Sequence, residues 1–261
     1  MTVHDLFSID LSLAELALLA AAGLVCGIIN TLAGSGSLIT LPVFIFICGL
    51  PAPVANGTNR IGVLLQTLVG AYGFYRKGAT PVAGTAWLIV ACIAGALAGS
   101  RIAVQLDERI MNGVLGGLMV FMLGVLLLKP ERWLRATAAD PRRNRRPLTL
   151  FVFFLIGIYG GFIQAGVGIF LLAGLVLAGR YSLGAANGIK NLLVFAFTLP
   201  ALLVFLWYGQ VHIGYGLLMA VFQSAGAWLG VRLATSVPNA ERWMYRLLVA
   251  AVAVSALKFF V

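Results

Sequence analysis

The chain has 261 residues, 61% of them hydrophobic and 10% charged, with a formal net charge of +10 and a mean hydropathy of +1.02. Soluble domains carry about 25% charged residues, so a water-soluble globular fold is excluded. A membrane β-barrel is excluded as well, because barrels alternate apolar and polar residues in segments of about ten and runs such as Trp87–Ala98 do not.

Taken in chain order, the N-terminus carries His4, Asp5, Asp10 and Glu15 and lacks the basic start of a cleaved signal peptide. A membrane span needs about 20 apolar residues. The apolar stretch 11–49 is too long for one span and is interrupted at Asn30–Ser37, so it divides into segments 11–29 and 37–49. Segments 57–75, 84–105 and 109–128 follow. Between Lys129 and Arg146, the basic residues Lys129, Arg132, Arg135, Arg142, Arg143, Arg145 and Arg146 outweigh Glu131 and Asp140. A basic loop between membrane segments is an orientation signal that holds it in the cytoplasm. It therefore explains the net charge without nucleic acid; contact with anionic lipid is the secondary reading.

The region 148–261 repeats the pattern. Ala55-Asn56-Gly57 aligns with Ala186-Asn187-Gly188 at an offset of 131 positions. At that offset AGALAGSRIA, from Ala94, overlays AGAWLGVRLA, from Ala225, without a gap. With a small indel, Gly23, Gly27, Asn30, Gly34 and Gly36 meet Gly157, Gly161, Gln164, Gly166 and Gly168. A constant register marks a duplication. Five segments are an odd number, so the second copy is inverted. The fold expected is an all-α polytopic membrane protein of two inverted-topology repeats of about five membrane segments each. The first two segments of each repeat are short or broken at a Gly-rich turn. Residues 1–128 form the first repeat, 129–147 the basic cytoplasmic linker and 148–261 the second repeat, with both termini outside a bacterial-type inner membrane.

Gly-interrupted segments in matching positions of two inverted halves point to a transporter site. A helix restarting near Ser37 or Ile169 presents unpaired N–H groups and a positive dipole end to an anion. The candidate solute-binding residues of the breaks are Asn30, Gly34, Ser35, Gly36, Ser37, Gln164, Gly166 and Gly168. The second group comprises Asn56, Gly57, Asn59, Arg60 and Gln66 in the first copy and Asn187, Gly188, Lys190 and Asn191 in the second. Asn56 and Asn187 can equally serve as helix N-caps. Arg60 and Lys190 are natural countercharges for an anion, or they snorkel to the interface. Thr67 extends the polar stripe of Gln66. Gly23/Gly27 and Gly95/Gly99 read as helix-packing faces, and Tyr159 and Tyr181 as interfacial. The acids Asp5, Asp10, Glu15, Asp107, Glu108, Glu131, Asp140 and Glu241 all fall outside the depths of the segments. Cation and proton carriers commonly use intramembrane carboxylates or histidine, so the expected solute is an anion. Cys26, Cys48 and Cys92 are far apart, and no metal, cofactor or catalytic residue is expected.

The stretch GLVCGIINTLAGSGSLITLP, followed by ANGTNRIGVLLQTLVGAYGFYRKG, resembles the sulfite exporter TauE/SafE family of membrane transporter permeases. GIYGGFIQAGVGIFLL and ANGIKNLLV resemble its repeated copy, and the likeness runs from about Gly23 to Arg232. The matching positions are Asn30, Gly34, Gly36, Asn56, Gly57, Asn59, Arg60, Gly166, Gly168, Asn187, Gly188, Lys190 and Asn191. The resemblance implies movement of sulfite, thiosulfate, sulfonates or related small organic anions. The function expected is a secondary transporter that exports small sulfur-containing anions by alternating access. Alternatives are a carrier of small carboxylates, an uptake permease, a channel or scaffold, and, remotely, an intramembrane serine hydrolase using Ser35 of Ala33-Gly34-Ser35-Gly36. Partners are the anionic solute and the lipid bilayer, with a homodimer an open assembly.

Overall fold

The computed structural model describes residues 7–78, 80, 84–127 and 144–236, with a few positions between 249 and 257. Most of the basic linker and of the last segment of the second copy therefore lie outside the described residues. Those described are helical: α1 Leu13–Ala33, α2 Ser37–Phe46, α3 Ala52–Arg76, α4 Ala86–Ala103, α5 Glu108–Leu127, α6 Pro147–Phe162, α7 Val167–Leu177, α8 Leu183–Trp207 and α9 Ile213–Ser236. Among them α1, α4, α5, α8 and α9 are long and apolar enough to cross a membrane. α3 is as long as α8, at 25 residues, but its first half carries Asn56, Asn59 and Arg60.

Local chemistry sets the helix ends. Ser12 and Glu15 form a capping box on α1, with Glu15 N donating to Ser12 Oγ (3.3 Å) and Ser12 N to Glu15 Oε2 (2.9 Å). α1 stops at Gly34, whose φ of +76° is a left-handed C-cap and whose N–H donates to Asn30 O at 2.9 Å. Ser182 caps α8 through Ala185 N. The alternative reading of Asn56 and Asn187 as N-caps does not hold. α3 begins at Ala52 after Pro51, and α8 begins after Ser182, so both asparagines sit about a turn inside a helix with their side chains free to reach across.

Hydrogen bonds between connecting segments sort the helices into two sets. Asp10 N donates to Tyr215 Oη (3.3 Å) and His212 N to Thr58 Oγ1 (2.8 Å), which brings the starts of α1, α3 and α9 to one face. Asn144 Nδ2 donates to Gly84 O (3.2 Å) and Tyr181 Oη (2.6 Å), which brings the starts of α4, α6 and α8 together. Side contacts agree. Ile61, Gly62 and Gly73 of α3 meet Gly216, Gln223 and Val231 of α9, so these helices run parallel. Gly57, Gly70 and Phe74 of α3 meet Phe205, Asn191 and Gly188 of α8, so those two run antiparallel. Because α1 and α3 start on the same face, α1 and α2 form a hairpin that returns the chain to its origin; α6 and α7 do the same from the opposite face.

The main packing order is α1, α9, α3, α8, α4, α6, with α2 against α3 and α7 against α8. α1 on α9 and α4 on α6 are the tightest crossings. Gly27 lies against the backbone of Gln223 and Ala227, and Gly161 against that of Ala96. Small residues allow this approach in a bilayer, where helix association rests on packing. A Cβ on Gly99 would lie 2.9 Å from Phe162 N and closer still to Ile158 O, whereas one on Gly117 of α5 would meet nothing within 4 Å. Gly99→Ala is therefore expected to cost about 2 kcal/mol from overpacking. Gly117→Ala should cost nothing or stabilise slightly through helix propensity; thermal melts in detergent check both.

Candidate functional site

The two helix breaks meet. Gly168 N–H, at the start of α7, donates to Gly34 O, at the end of α1, at 3.0 Å. This consumes one of the N–H groups that a restarting helix would otherwise offer a solute. Beside the contact is a narrow pocket of about 10 Å³, lined by Asn30, Gly34, Ser37, Val63, Thr67, Gln164, Val167, Gly168, Lys190, Asn191 and Val194. That is room for about one water, so an oxyanion fits only if the pocket widens.

Polar side chains around the cavity are held by one another. Asn59 Nδ2 donates to Ser37 Oγ (3.1 Å) and Thr40 Oγ1 donates to Asn59 Oδ1 (2.6 Å), fastening α2 to α3. Asn30 Oδ1 accepts from Gly36 N at 3.3 Å. Asn191 Nδ2 donates to Asn187 O at 2.8 Å. Gln164 donates through Nε2 to Thr198 Oγ1, while its Oε1 is buried without a partner. A buried amide end left unpaired costs about 1–3 kcal/mol and is suited to a polar solute or water. Val63, Val167 and Val194 supply an apolar wall.

The two cations are fully buried, Arg60 at 0% and Lys190 at 1% exposure. This overturns snorkelling. Lys190 Nζ donates to Asn30 O (2.9 Å), Thr31 O (3.0 Å) and Asn187 Oδ1 (2.9 Å). Arg60 donates through Nη1 to Gly160 O (3.2 Å) and through Nη2 to Gly161 O (2.5 Å) and Phe162 O (3.4 Å), with its guanidinium 4.3 Å from the Phe205 ring centre. Asn56 Nδ2 adds a bond to Phe162 O at 2.8 Å. Each cation thus sits on the C-terminal carbonyls of a broken helix, where the helix dipole is negative; Asn30 O accepts from Lys190 Nζ as well as from Gly34 N.

Of the residues expected to bind solute, Asn30, Gly34, Ser37, Gln164, Gly168, Lys190 and Asn191 line the cavity. Ser35, Gly36, Asn56, Gly57, Asn59, Arg60, Gln66, Gly166, Asn187 and Gly188 do not. Of these, Asn59 and Asn187 support lining residues, Gly57 packs on Gln210, and Gly188 packs on Phe74 and Thr80. Val63, Val167 and Val194 were missed as lining residues. The repeat offset carried a signal for them, since it pairs Val63 with Val194 and Thr67 with Thr198. Tyr181 is fully buried against Asn144, and Tyr159 donates its hydroxyl to Ala165 O inside the second break, so both are internal struts.

These features define a polytopic helical membrane protein with a buried polar centre where two broken hairpins touch. The chain belongs to the sulfite exporter TauE/SafE family, whose model matches residues 19–259, and is a membrane transporter of that family. It is similar to the probable membrane transporter protein ORF9 of Sinorhizobium sp, 30% identical over 230 residues, which cover 86% of this chain and 85% of the relative. A probable membrane transporter protein of Haemophilus influenzae is 27% identical, covering 86% of this chain and 87% of its own. The probable membrane transporter protein YfcA of Escherichia coli K12 is 25% identical, covering 90% and 86%. No solved structure matches.

Proposed function

We propose that the protein exports small sulfur-containing anions (sulfite, thiosulfate or organosulfonates) by alternating access between two inverted halves. The observation that carries this reading is the cavity itself. Lys190 is buried at its wall, hydroxyl and amide groups surround it, and no carboxylate lines it. A cation in a carboxylate-free pocket favours an anion by direct Coulomb attraction in a low-dielectric setting. The opposed directions of α3 and α8, and the crossed packing of α1 on α9 and α6 on α4, support inversion and a centre shared by both halves. A cell interior is negative relative to the outside. Outward movement of one negative charge then gains about 2.3 kcal/mol per 100 mV, which makes export feasible without a coupling ion.

The serine-hydrolase reading draws no support from Ser35. Its Oγ is buried without a hydrogen-bond partner, and a serine nucleophile requires a positioned base.

The test is flux in proteoliposomes loaded with sulfite, thiosulfate, a sulfonate or a small carboxylate, with an imposed potential. We expect protein-dependent efflux of at least one sulfur-containing anion, accelerated when the compartment holding the anion is negative. Efflux of carboxylates alone would move the substrate assignment to that class; no flux of any of the four would end the anion-carrier reading.

A further inference from the structure

We infer that Arg60 and Lys190 are opposed gate clamps, each holding one hairpin tip shut over one side of the cavity. This rests on the transporter reading above and assigns the two buried cations within it.

The hydrogen bonds of the connecting segments divide the helices into two groups: α1, α3 and α9, with α2 on α3, and α4, α6 and α8, with α7 on α8. Each group mixes elements from both halves of the sequence. The strong contacts that join the groups are α3 on α8 and the bonds at the hairpin tips. Lys190 belongs to α8 and grips the end of α1; Arg60 belongs to α3 and grips the end of α6. Both bonds therefore cross the boundary between groups.

They also lie at different depths. Arg60 packs on Phe205 of α8, while Asn191, next to Lys190, meets Gly70 of α3. Gly70 is ten residues beyond Arg60, or about 15 Å along the helix axis. The cavity touches α3 at Val63 and Thr67, between those two levels. One tip thus closes the cavity from the side where α3 begins, held by Arg60 with Asn56 on Phe162 O. The other closes it from the side where α8 begins, held by Lys190 with Asn187. The Gly168–Gly34 hydrogen bond joins the two tips between them. Both clamps are made here, and the pocket between them is narrowed to about 10 Å³. Opening one side requires one clamp to release while the other holds, which is the requirement for alternating access.

The two residues are positioning residues on this account, acting through the helix ends they hold, and the readout is sided access. A reporter cysteine replaces Thr67 in a chain whose Cys26, Cys48 and Cys92 are alanine. Labelling by a membrane-impermeant maleimide is then measured from each face of oriented vesicles. Arg60→Met should raise labelling from one face, and Lys190→Met from the opposite face. Each rise should be at least about ten-fold, the population shift that loss of a charged hydrogen bond produces. Arg60→Lys and Lys190→Arg keep a cation at the helix end and should stay near the parent. If a methionine variant does not fold, Asn56→Ala and Asn187→Ala weaken the same clamps and are read in the same way, each on its own face. Labelling that rises from the same face in both, rises equally from both faces, or does not rise in folded protein overturns the assignment. Because the maleimide needs no solute, this result is read independently of flux: sided opening without anion flux would sink the substrate reading and leave the clamps standing.

Discussion

Replacing Gly168 with alanine should abolish transport and sharply lower thermal stability. A Cβ on Gly168 would lie 2.7 Å from the Gly34 carbonyl carbon, and a Cβ on Gly34 would lie 2.7 Å from that of Gly168. Real side chains do not tolerate this distance, and the neighbour on each side is backbone, which cannot swing away. The tips would have to part, breaking the Gly168–Gly34 hydrogen bond and widening the cavity. Overpacking costs about 1–3 kcal/mol. The buried carbonyl left without its donor adds about 1–3 kcal/mol. We expect Gly168→Ala to lose about 3 kcal/mol or more, and Gly34→Ala to lose more still because its φ of +76° disfavours a side chain. Gly184→Ala is the control, since a Cβ there meets nothing within 4 Å. Melting curves and proteoliposome flux check the series. Native-like flux from Gly168→Ala would mean that the tips are not in contact during transport.

The second large effect separates the two cations. Arg60→Met takes the side-chain donors from Gly160 O and Gly161 O, and Lys190→Met those from Thr31 O and Asn187 Oδ1, at about 1–3 kcal/mol per orphaned group. Both should therefore fall by about 3 kcal/mol in stability. Their responses to the transported anion should differ. Lys190 lines the cavity and Arg60 does not. Thr67, the cavity residue on the far side of Val63, is seven positions beyond Arg60, or about 10 Å along the helix. A bound anion stabilises the folded state in proportion to the logarithm of its concentration over its dissociation constant. Arg60→Met should keep that anion-induced rise in melting temperature from a lower baseline, whereas Lys190→Met should lose most of it. Loss in both variants would restore Arg60 as a solute ligand; retention in both would remove Lys190 from the binding site.

The overall plan was open to inspection in the chain because its signals are local or periodic. Hydropathy distinguishes membrane helices residue by residue, and glycine marks the two breaks through backbone freedom that no neighbour has to supply. The constant offset between the Asn56 and Asn187 elements is read from the chain without any knowledge of contacts. The helix starts were less accessible. Pro51 and Ser182 begin α3 and α8, and the asparagines a turn later resembled caps because a cap is a short polar residue before an apolar run, which describes both positions.

Composition and register alone determined that this is a helical membrane protein with Gly-rich breaks in the chain near Asn30–Ser37 and Gln164–Gly168. The physical reason is that burial in lipid constrains every residue of a span in the same way. Only the tertiary structure decided what Arg60 and Lys190 do. Their partners lie 100 and 160 positions away for Gly160 and Asn30, and a long flexible side chain in a low-dielectric interior takes whichever acceptors the fold brings within reach. The same holds for the valine wall of the cavity, which is indistinguishable from lipid-facing valine until the helices are packed.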